Sequence, residues 1–211
     1  MWRMARDRRR LRRTPGVRFG KLLGTAPGFG PRQTDPTRWA MLAGWAHPDA
    51  GSATERCAVA RSWHRFATGY CRLDLRTLTS RGQWARRQPF TATGSPPDGP
   101  VLALTRARLR PGRAAAFWRA IGPVGAAVWQ APGLLAAFGI GEAPLGWQGT
   151  VSVWRGLEDL HAFAHRDPRH VAVMTRTPTE RWFAEELFAR FAVLDTAGDL
   201  AVIGWTDGRP R

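Results

Sequence analysis

The amino-acid sequence predicts an α+β fold made of two related halves. The first observation is a long internal repeat, in which TPGVRFGKLLGTAP and APGLLAAFGIGEAP share a Pro-Gly, an apolar run, a glycine and a second proline. The prolines of the two segments share one offset of 117 residues: Pro15 with Pro132, and Pro27 with Pro144. A repeat of this length is typical of a duplicated supersecondary unit.

The second observation is the order of strands and helices in the second half. Apolar periodicity and turn residues predict the order βαββαβ, which is that of a ferredoxin-like module. The predicted elements are a strand at 101–110, a helix at 112–129, strands at 134–141 and 148–154, one helix or a helix pair at 156–187, and a strand at 188–195. In the last strand, Ala189 and Phe191 alternate with Phe188 and Arg190, which predicts two different faces.

The pattern of the first half predicts the same βαββαβ order, but without the first strand. The segment MWRMARDRRRLRR is the candidate opening helix, and an apolar run after Pro15 is the next strand. A strand at 39–45, a helix at 52–67 and a strand at 70–78 follow. No residues precede the opening helix to supply a first strand. The start codon therefore lies upstream, or this edge of the sheet is open or completed by another chain, and we favour an upstream start.

Together these elements predict tandem ferredoxin-like βαββαβ modules that pack as a pseudo-twofold α/β barrel with helices outside, the first module lacking its initial strand. The predicted division is an N-terminal half at 1–90, a linker at 91–100, a C-terminal half at 101–205 and a tail at 206–211. Because the fused halves already form a barrel-like unit, both a monomer and a homodimer are compatible with the sequence.

The formal net charge of +16 favours anionic partners such as a phospholipid surface or an acidic protein. Lys21 is the only lysine in the chain, and this bias towards arginine is typical of GC-rich coding, so the arginine count alone indicates little. No nucleic-acid recognition motif accompanies the charge, and nucleic acid is not an expected partner. An RNA-binding ferredoxin-like module is the rival interpretation, and RGQWARRQPF is its only supporting stretch.

Two further features bear on the compartment. Cys57 and Cys71 do not form a CxxC or a metal-ligand pattern, and we expect reduced thiols in a cytoplasmic protein. The uncharged segment 120–141 is long enough to resemble a membrane span, but Pro123 and the Pro132–Gly133 pair predict a turn between two elements instead. The N-terminus has no apolar segment typical of a signal peptide.

Several stretches of the chain resemble the spheroidene monooxygenase family of carotenoid ketolases. They are RTPGVRFGKLLGTAPGFGPR, RWAMLAGW, RGQWARRQPF, GIGEAPLGWQGTVSVW and RWFAEELFARFAVLD, and they extend from about Leu11 to Asp195. The resemblance implies a fused α/β barrel and a haem-dependent oxygenase. Such an enzyme uses molecular oxygen and reduced ferredoxin to place a keto group near the end of a linear carotenoid. Two departures are the absent first strand and Gly20, where the family tends to have an aromatic residue.

The histidines are the candidate metal ligands. His161 and His165 share a helix face, but a zinc site needs a third ligand, and a surface helix accounts for the pair. Asp167 is positioned to cap a new helix that begins with Pro168 and carries His170 near its start. From spacing alone, His170 is best explained as packing against its own helix. The resemblance implies instead that His170 is the axial haem ligand, with His165 in reserve.

The other cofactor contacts implied by the resemblance follow His170 in the chain. Arg176 or Arg181 would pair with a haem propionate, and Trp182 and Phe183 would form an apolar wall. An ordinary place in the hydrophobic core explains each large apolar residue better when it is taken singly. As a set, the candidate walls of a hydrocarbon slot inside the barrel are Phe117, Trp118, Trp129, Phe138, Trp147 and Trp154.

The expected partners follow from the same reading. An acidic ferredoxin-type donor would dock on the basic surface, and the basic N-terminus would allow peripheral membrane contact. The alternative function is a non-catalytic α/β-barrel protein that binds haem or a small hydrophobic ligand.

Overall fold

The structure, a computed structural model, describes residues 2–30, 33, 35–47, 50–94, 98–142 and 147–206. In the first half the elements are α1 (Trp2–Arg12), β1 (Val17–Ala26), β2 (Asp35–Trp45), α2 (Ala50–Arg56), α3 (Ala58–His64) and β3 (Cys71–Gly82). In the second half they are β4 (Val101–Leu109), α4 (Ala114–Trp129), β5 (Leu134–Gly141), β6 (Trp147–Trp154), α5 (Leu157–Arg166), α6 (Pro168–Glu180), β7 (Phe183–Gly198) and a short 3₁₀ helix (Leu200–Ile203).

All seven strands form one curled antiparallel sheet in the order β2-β1-β5-β6-β4-β7-β3. The four strands of the second half lie together as β5-β6-β4-β7, which is the strand order of a ferredoxin-like module. The first half joins this sheet on both sides, because β1 pairs with β5 and β3 pairs with β7. The predicted pseudo-twofold fold is confirmed, as a half-barrel.

The two edges of the sheet are β2 and β3, and each has one neighbouring strand among the described residues. In the second half the equivalent strands, β6 and β7, are separated by β4. The described part of the first half has no strand equivalent to β4, so the barrel is open between β2 and β3. The predicted boundaries between halves, linker and tail stay predictions.

The inner face of the half-barrel carries the main core. Leu102 and Leu104 of β4 point inward with Phe191 of β7, as the period-two alternation of a strand requires. Val153 belongs to this inner core, whereas the next residue, Trp154, packs with Leu160 in the helix layer. Consecutive residues of a strand point to opposite faces, so α5 covers the outer face of the sheet.

The break between α5 and α6 follows the predicted capping. The Asp167 carboxylate accepts hydrogen bonds from the backbone N–H groups of Arg169 and His170 at 2.9 and 3.2 Å, and Pro168 occupies the first turn of α6. These bonds satisfy N–H groups that have no partner within the helix.

The helix predicted to run to residue 187 is shorter, and this part of the prediction was wrong. Arg181 adopts a left-handed conformation with φ of 47°, which ends α6, and β7 begins at Phe183. Glu185 pairs with Arg108 of β4, so ladder hydrogen bonds replace helical ones over 183–187.

The uncharged segment 120–141 divides as predicted. It comprises the end of α4, a turn in which Gly133 has φ of 79°, and β5. Across the described part of the chain, no helix combines the length and the apolarity that crossing a bilayer requires.

Candidate functional site

A cavity of about 1140 Å³ lies on the concave side of the sheet and reaches both edge strands. Its volume lies slightly above the roughly 300–1,000 Å³ usual for small-molecule pockets. The charged side chains of Arg38, Arg72, Asp74 and Arg76 line one part of the cavity. The other part is apolar and accommodates a hydrocarbon; it comprises Leu23, Leu75, Leu102, Leu104, Phe138 and Phe191, among others.

The cavity also extends past the edge of β2 towards α3. Trp63 and His64 of α3 line this outer part, as do Trp39 and Tyr70. The Tyr70 ring stacks on His64 with centroids 4.2 Å apart, and Trp39 meets Trp63 edge to face at 5.5 Å. Trp39 and Tyr70 are 37% and 43% exposed, so the outer part of the cavity has a solvent-exposed aromatic rim.

The sequence-predicted walls of the slot are only partly correct. Phe138 and Trp129 line the cavity. Phe117 and Trp118 pack instead in a cluster around α4, and Trp154 packs under α5 on the outer face. These three residues were wrongly predicted because their strand face, or their helix, points away from the concave side. The Trp147 side chain lies outside the described part of the structure.

A buried group of four charges lies below the cavity, at the end of the half-barrel where β7 begins. Glu142 accepts hydrogen bonds from Lys21, from the Trp84 indole at 2.7 Å and from the Arg106 guanidinium at 3.1 Å. Arg106 also donates to Glu185 at 2.6 Å. Each of the four charged side chains is at most 10% exposed. Two cations and two carboxylates balance, as a buried ionic group requires.

The Glu185 carboxylate also holds the loop after β3. It accepts hydrogen bonds from the backbone N–H groups of Ala85 and Arg86 at 3.2 and 2.9 Å. Both of these residues have positive φ, 56° and 60°, a conformation that is costly without such support. Burial alone would raise the pKa of Glu185, but the Arg86 N–H and the Arg106 guanidinium outweigh burial and hold the pKa below its ordinary value.

Sequence reasoning missed this charged group. Glu185 falls in the segment 156–187 that was predicted as helix, whereas the structure places it in β7 with its carboxylate facing the barrel interior. A signal was present, because Arg106 follows Leu102 and Leu104 at a spacing of two residues on the inward face. Lys21 follows Phe19 in the same way and precedes Leu23. A lone charge at an inward strand position predicts a buried partner.

His170 lies near the start of α6, in the helix layer, and does not line the cavity. Its Nδ1 is 2.9 Å from the Ala164 carbonyl oxygen, and its ring packs on Phe163 at 5.2 Å. Burial, the main cause, lowers the pKa of His170 below its ordinary value. The imidazole is therefore neutral at pH 7, with Nδ1 donating to the carbonyl and Nε2 keeping its lone pair. This arrangement leaves Nε2 able to bind a metal, as in metal-ligating histidines, but His170 lines neither the cavity nor the smaller depression described below.

The other predicted cofactor contacts gather around α4 rather than around His170. Trp182 is fully buried against Phe117, at 5.8 Å between ring centroids, and Phe183 contacts the same ring at 5.5 Å. Arg176 lies over the Trp182 ring and pairs with Glu180 at 3.0 Å. None of these side chains lines the cavity.

Arg181 lines a separate surface depression of about 430 Å³ together with Arg110 and Arg113. The Arg110 guanidinium donates to the Phe183 carbonyl oxygen at 2.9 Å, and the three arginines make this depression positively charged.

Of the remaining histidines, two lie in α5 and two line the cavity. The Nε2 of His161 lies 2.6 Å from the Arg190 guanidinium, which occupies the lone pair that a metal would need. The His161 and His165 rings are 5.9 Å apart, and no group of three His, Cys, Asp or Glu side chains in the described residues is placed to hold a metal ion. His47 and His64, which received no role from the sequence, both line the cavity.

Comparisons with known proteins identify similar chains. No protein-family model matches the chain. It is 37% identical over 201 residues to a spheroidene monooxygenase of Rhodobacter capsulatus, covering 92% of this chain and 83% of that protein. It is 34% identical over 187 residues to a spheroidene monooxygenase of Rubrivivax gelatinosus, covering 87% of this chain and 72% of that protein. Among solved structures, an anthrone oxidase-like protein matches with 12% identity and a TM-score of 0.37, over 93% of this chain and 86% of that chain.

Proposed function

Because the chain belongs to the spheroidene monooxygenase family, we propose that it is a monooxygenase that places a keto group near one end of a linear carotenoid. The observation that carries the proposal is the cavity of about 1140 Å³ inside the half-barrel, with the apolar part of its lining. A carotenoid is a long, rigid hydrocarbon, and the concave face offers aliphatic and aromatic side chains along its length.

The cavity residues contribute binding and orientation. Each methylene moved from water into an apolar site stabilises the complex by about 0.8 kcal/mol. The cavity is lined by Leu23 of β1 and by Leu102 and Leu104 of β4, two strands that β5 and β6 separate in the sheet. These side chains therefore confine the hydrocarbon from two directions. The same side chains exclude water from the reacting carbon, which protects reactive intermediates.

Oxidation of an unactivated C–H bond needs a cofactor, since side chains alone cannot carry the electrons. A haem would supply oxygen activation and the transfer of one oxygen atom to substrate. His170 would bind the haem iron through Nε2, because its imidazole is neutral and its Nδ1 is held by a carbonyl oxygen. Arg181, with Arg110 and Arg113, is the proposed contact for a propionate, and Trp182 and Phe183 are the proposed apolar contacts.

Two surface properties support the proposed partners. The net charge of +16 favours an acidic donor such as a ferredoxin, whose docking would speed electron delivery. One face of α1 exposes Arg8, Arg9 and Arg12, while Leu11 and Asp7 on its other face are buried. This arginine face suits peripheral contact with an anionic membrane, where carotenoids reside. Sedimentation with anionic and neutral vesicles tests it, and equal binding to both would exclude an electrostatic contact.

The proposal that the cavity binds the carotenoid is tested with two matched variants of β3. Leu75 of β3 lines the cavity, whereas Thr79 of the same strand is exposed. In cells that accumulate spheroidene, Leu75→Trp should lower the yield of the keto product by narrowing the cavity at β3, and Thr79→Trp should leave the yield unchanged. If both variants form product as the wild type does, the cavity is not the substrate site.

The cofactor part rests on different residues and is tested separately. Titration of the purified protein with haem should give a shifted Soret band that His170→Ala removes and His165→Ala retains. Loss of the band in His64→Ala alone would place the haem in the cavity instead. A wild-type protein that takes up no haem would contradict the cofactor proposal while leaving the cavity experiment intact.

A further inference from the structure

Four of the stretches that resemble the family meet at one buried point. RTPGVRFGKLLGTAPGFGPR supplies Lys21, RGQWARRQPF supplies Trp84, GIGEAPLGWQGTVSVW supplies Glu142 and RWFAEELFARFAVLD supplies Glu185. Arg106 of β4 joins Glu142 to Glu185. None of these five side chains lines the cavity, so the proposed reaction gives them no direct role.

Trp84 is the centre of this group and is fully buried. The Lys21 ammonium and the Arg106 guanidinium each lie 5.4 Å from the centroid of its ring, and Glu142 accepts its indole N–H. Two cation–π contacts and one charge-assisted hydrogen bond therefore fix both the position and the orientation of the indole.

The same charges anchor the loop that carries Trp84, residues 83–90, which we name the floor loop. Glu185 holds the N–H groups of Ala85 and Arg86, and the backbone N–H of Gln83 donates to the Glu186 carbonyl oxygen at 2.6 Å. Across the turn, the Trp84 N–H donates to the Arg87 carbonyl oxygen at 2.8 Å, and the Arg87 N–H donates to the Trp84 carbonyl oxygen at 3.3 Å. The loop is thereby tied to β7, and the Trp84 indole ties it to Glu142, the residue after β5.

The last residue of the floor loop forms a boundary of the cavity. Phe90 lines the cavity and contacts Phe191 at 5.0 Å and Phe19 at 5.7 Å between ring centroids. Phe19 in turn contacts Trp84 at 5.5 Å. Contacting rings therefore lead from Phe90, at the cavity, through Phe19 to Trp84, among the buried charges.

We propose that the floor loop is the depth stop of the cavity: the charges of Lys21, Arg106, Glu142 and Glu185 fix Trp84, and the Phe90 ring limits how far a hydrocarbon chain enters. The inference rests on the proposed function, because it assigns the site its closed end. A rigid stop determines which carbon of a linear substrate lies at the reacting position. Phe90 is thus a specificity-determining residue, and the charged group holds it in place.

The first test measures depth without turnover. Unbranched primary alcohols of increasing chain length compete with Nile red for the cavity of the purified wild type and variants. In the wild type, binding should tighten about fourfold with each added methylene, the equivalent of ~0.8 kcal/mol, until the alcohol reaches a limiting length. In Phe90→Ala this limiting length should be greater. Phe188→Ala, on the outer face of β7, is the matched control and should leave the limit unchanged.

The outcomes separate the two proposals. If the wild type binds no apolar chain, the proposed function fails. If it binds chains and the length limit is the same in Phe90→Ala as in the wild type and the control, the depth stop is refuted while the substrate site stands.

The second test addresses the charges. Arg106→Leu combined with Glu185→Leu removes an ion pair without leaving an unpaired charge, which keeps folding feasible. Without Glu185 to hold the floor loop, oxidation in spheroidene-accumulating cells should spread over more than one carbon of the substrate. Mass spectrometric fragmentation of the ketones measures which carbons are oxidised. A folded double variant that oxidises the same single carbon as the wild type would show that the charges do not position the stop.

Discussion

The buried carboxylate of Glu142 offers the sharpest stability prediction. It is 6% exposed and holds three donors, from Lys21, Trp84 and Arg106. Glu142→Gln keeps the shape of the side chain but removes the charge that neutralises the Lys21 ammonium, which is itself 8% exposed. Removing one partner of a buried ion pair costs about 3–5 kcal/mol, because the other charge is left uncompensated.

The expected loss is measurable by urea and thermal unfolding. For a domain of this size each kcal/mol corresponds to roughly 2–4 °C, so the midpoint should fall by about 6–20 °C. Lys21→Met in the Glu142→Gln background removes the stranded cation and should restore most of the loss.

The matched control is Glu180→Gln, which breaks the exposed pair with Arg176 and should cost less than about 1 kcal/mol. If Glu142→Gln costs no more than this control, the buried charges do not form the coupled group described above.

Three further predictions concern packing, acid stability and thiol reactivity. Trp182→Ala should lower the free energy of unfolding by about 3–5 kcal/mol because the indole is fully buried, whereas Trp129→Ala, at a 41% exposed site, should cost much less. The pKa of Glu185 is lowered in the fold, so its contribution to stability is complete above its ordinary value of 4.5 and is lost as pH falls through the lowered value; Glu185→Gln should show a flatter acid-unfolding profile. Burial raises the pKa of Cys71 to about 11, so this thiol should react slowly with Ellman's reagent at pH 8 and rapidly in urea, and equal rates would contradict its burial.

The sequence predicted the second half of the fold well because its signals are local. Strand alternation over 101–110 and 188–195 and the Asp167–Pro168 cap each depend on a few neighbouring residues. The helix predicted across 183–187 failed for a tertiary reason. Glu and Leu favour helices intrinsically, but pairing with β4 and the inward ion pair of Glu185 override that preference.

The candidate site was less predictable, because it depends on long-range contacts. Trp84, Glu142 and Glu185 are separated by at least 43 residues along the chain, and only the folding of the sheet brings them together. The roles of His170 and Arg181 came from a resemblance rather than from spacing, and they stay predictions. The prediction of aromatic cavity walls was wrong where the side chain points to the outer face of the sheet. Trp154 does so, whereas its neighbour Val153 points to the inner face.

As proposed above, this chain would use molecular oxygen to oxidise a carotenoid held in its half-barrel. The most direct measurement is the analysis of carotenoids from spheroidene-accumulating cells that express the chain under oxygen-18 gas. We expect a new ketone that carries one oxygen-18 atom and is absent from cells without the chain. Accumulation of the folded protein with unchanged carotenoids, or a ketone without the label, would contradict the claim.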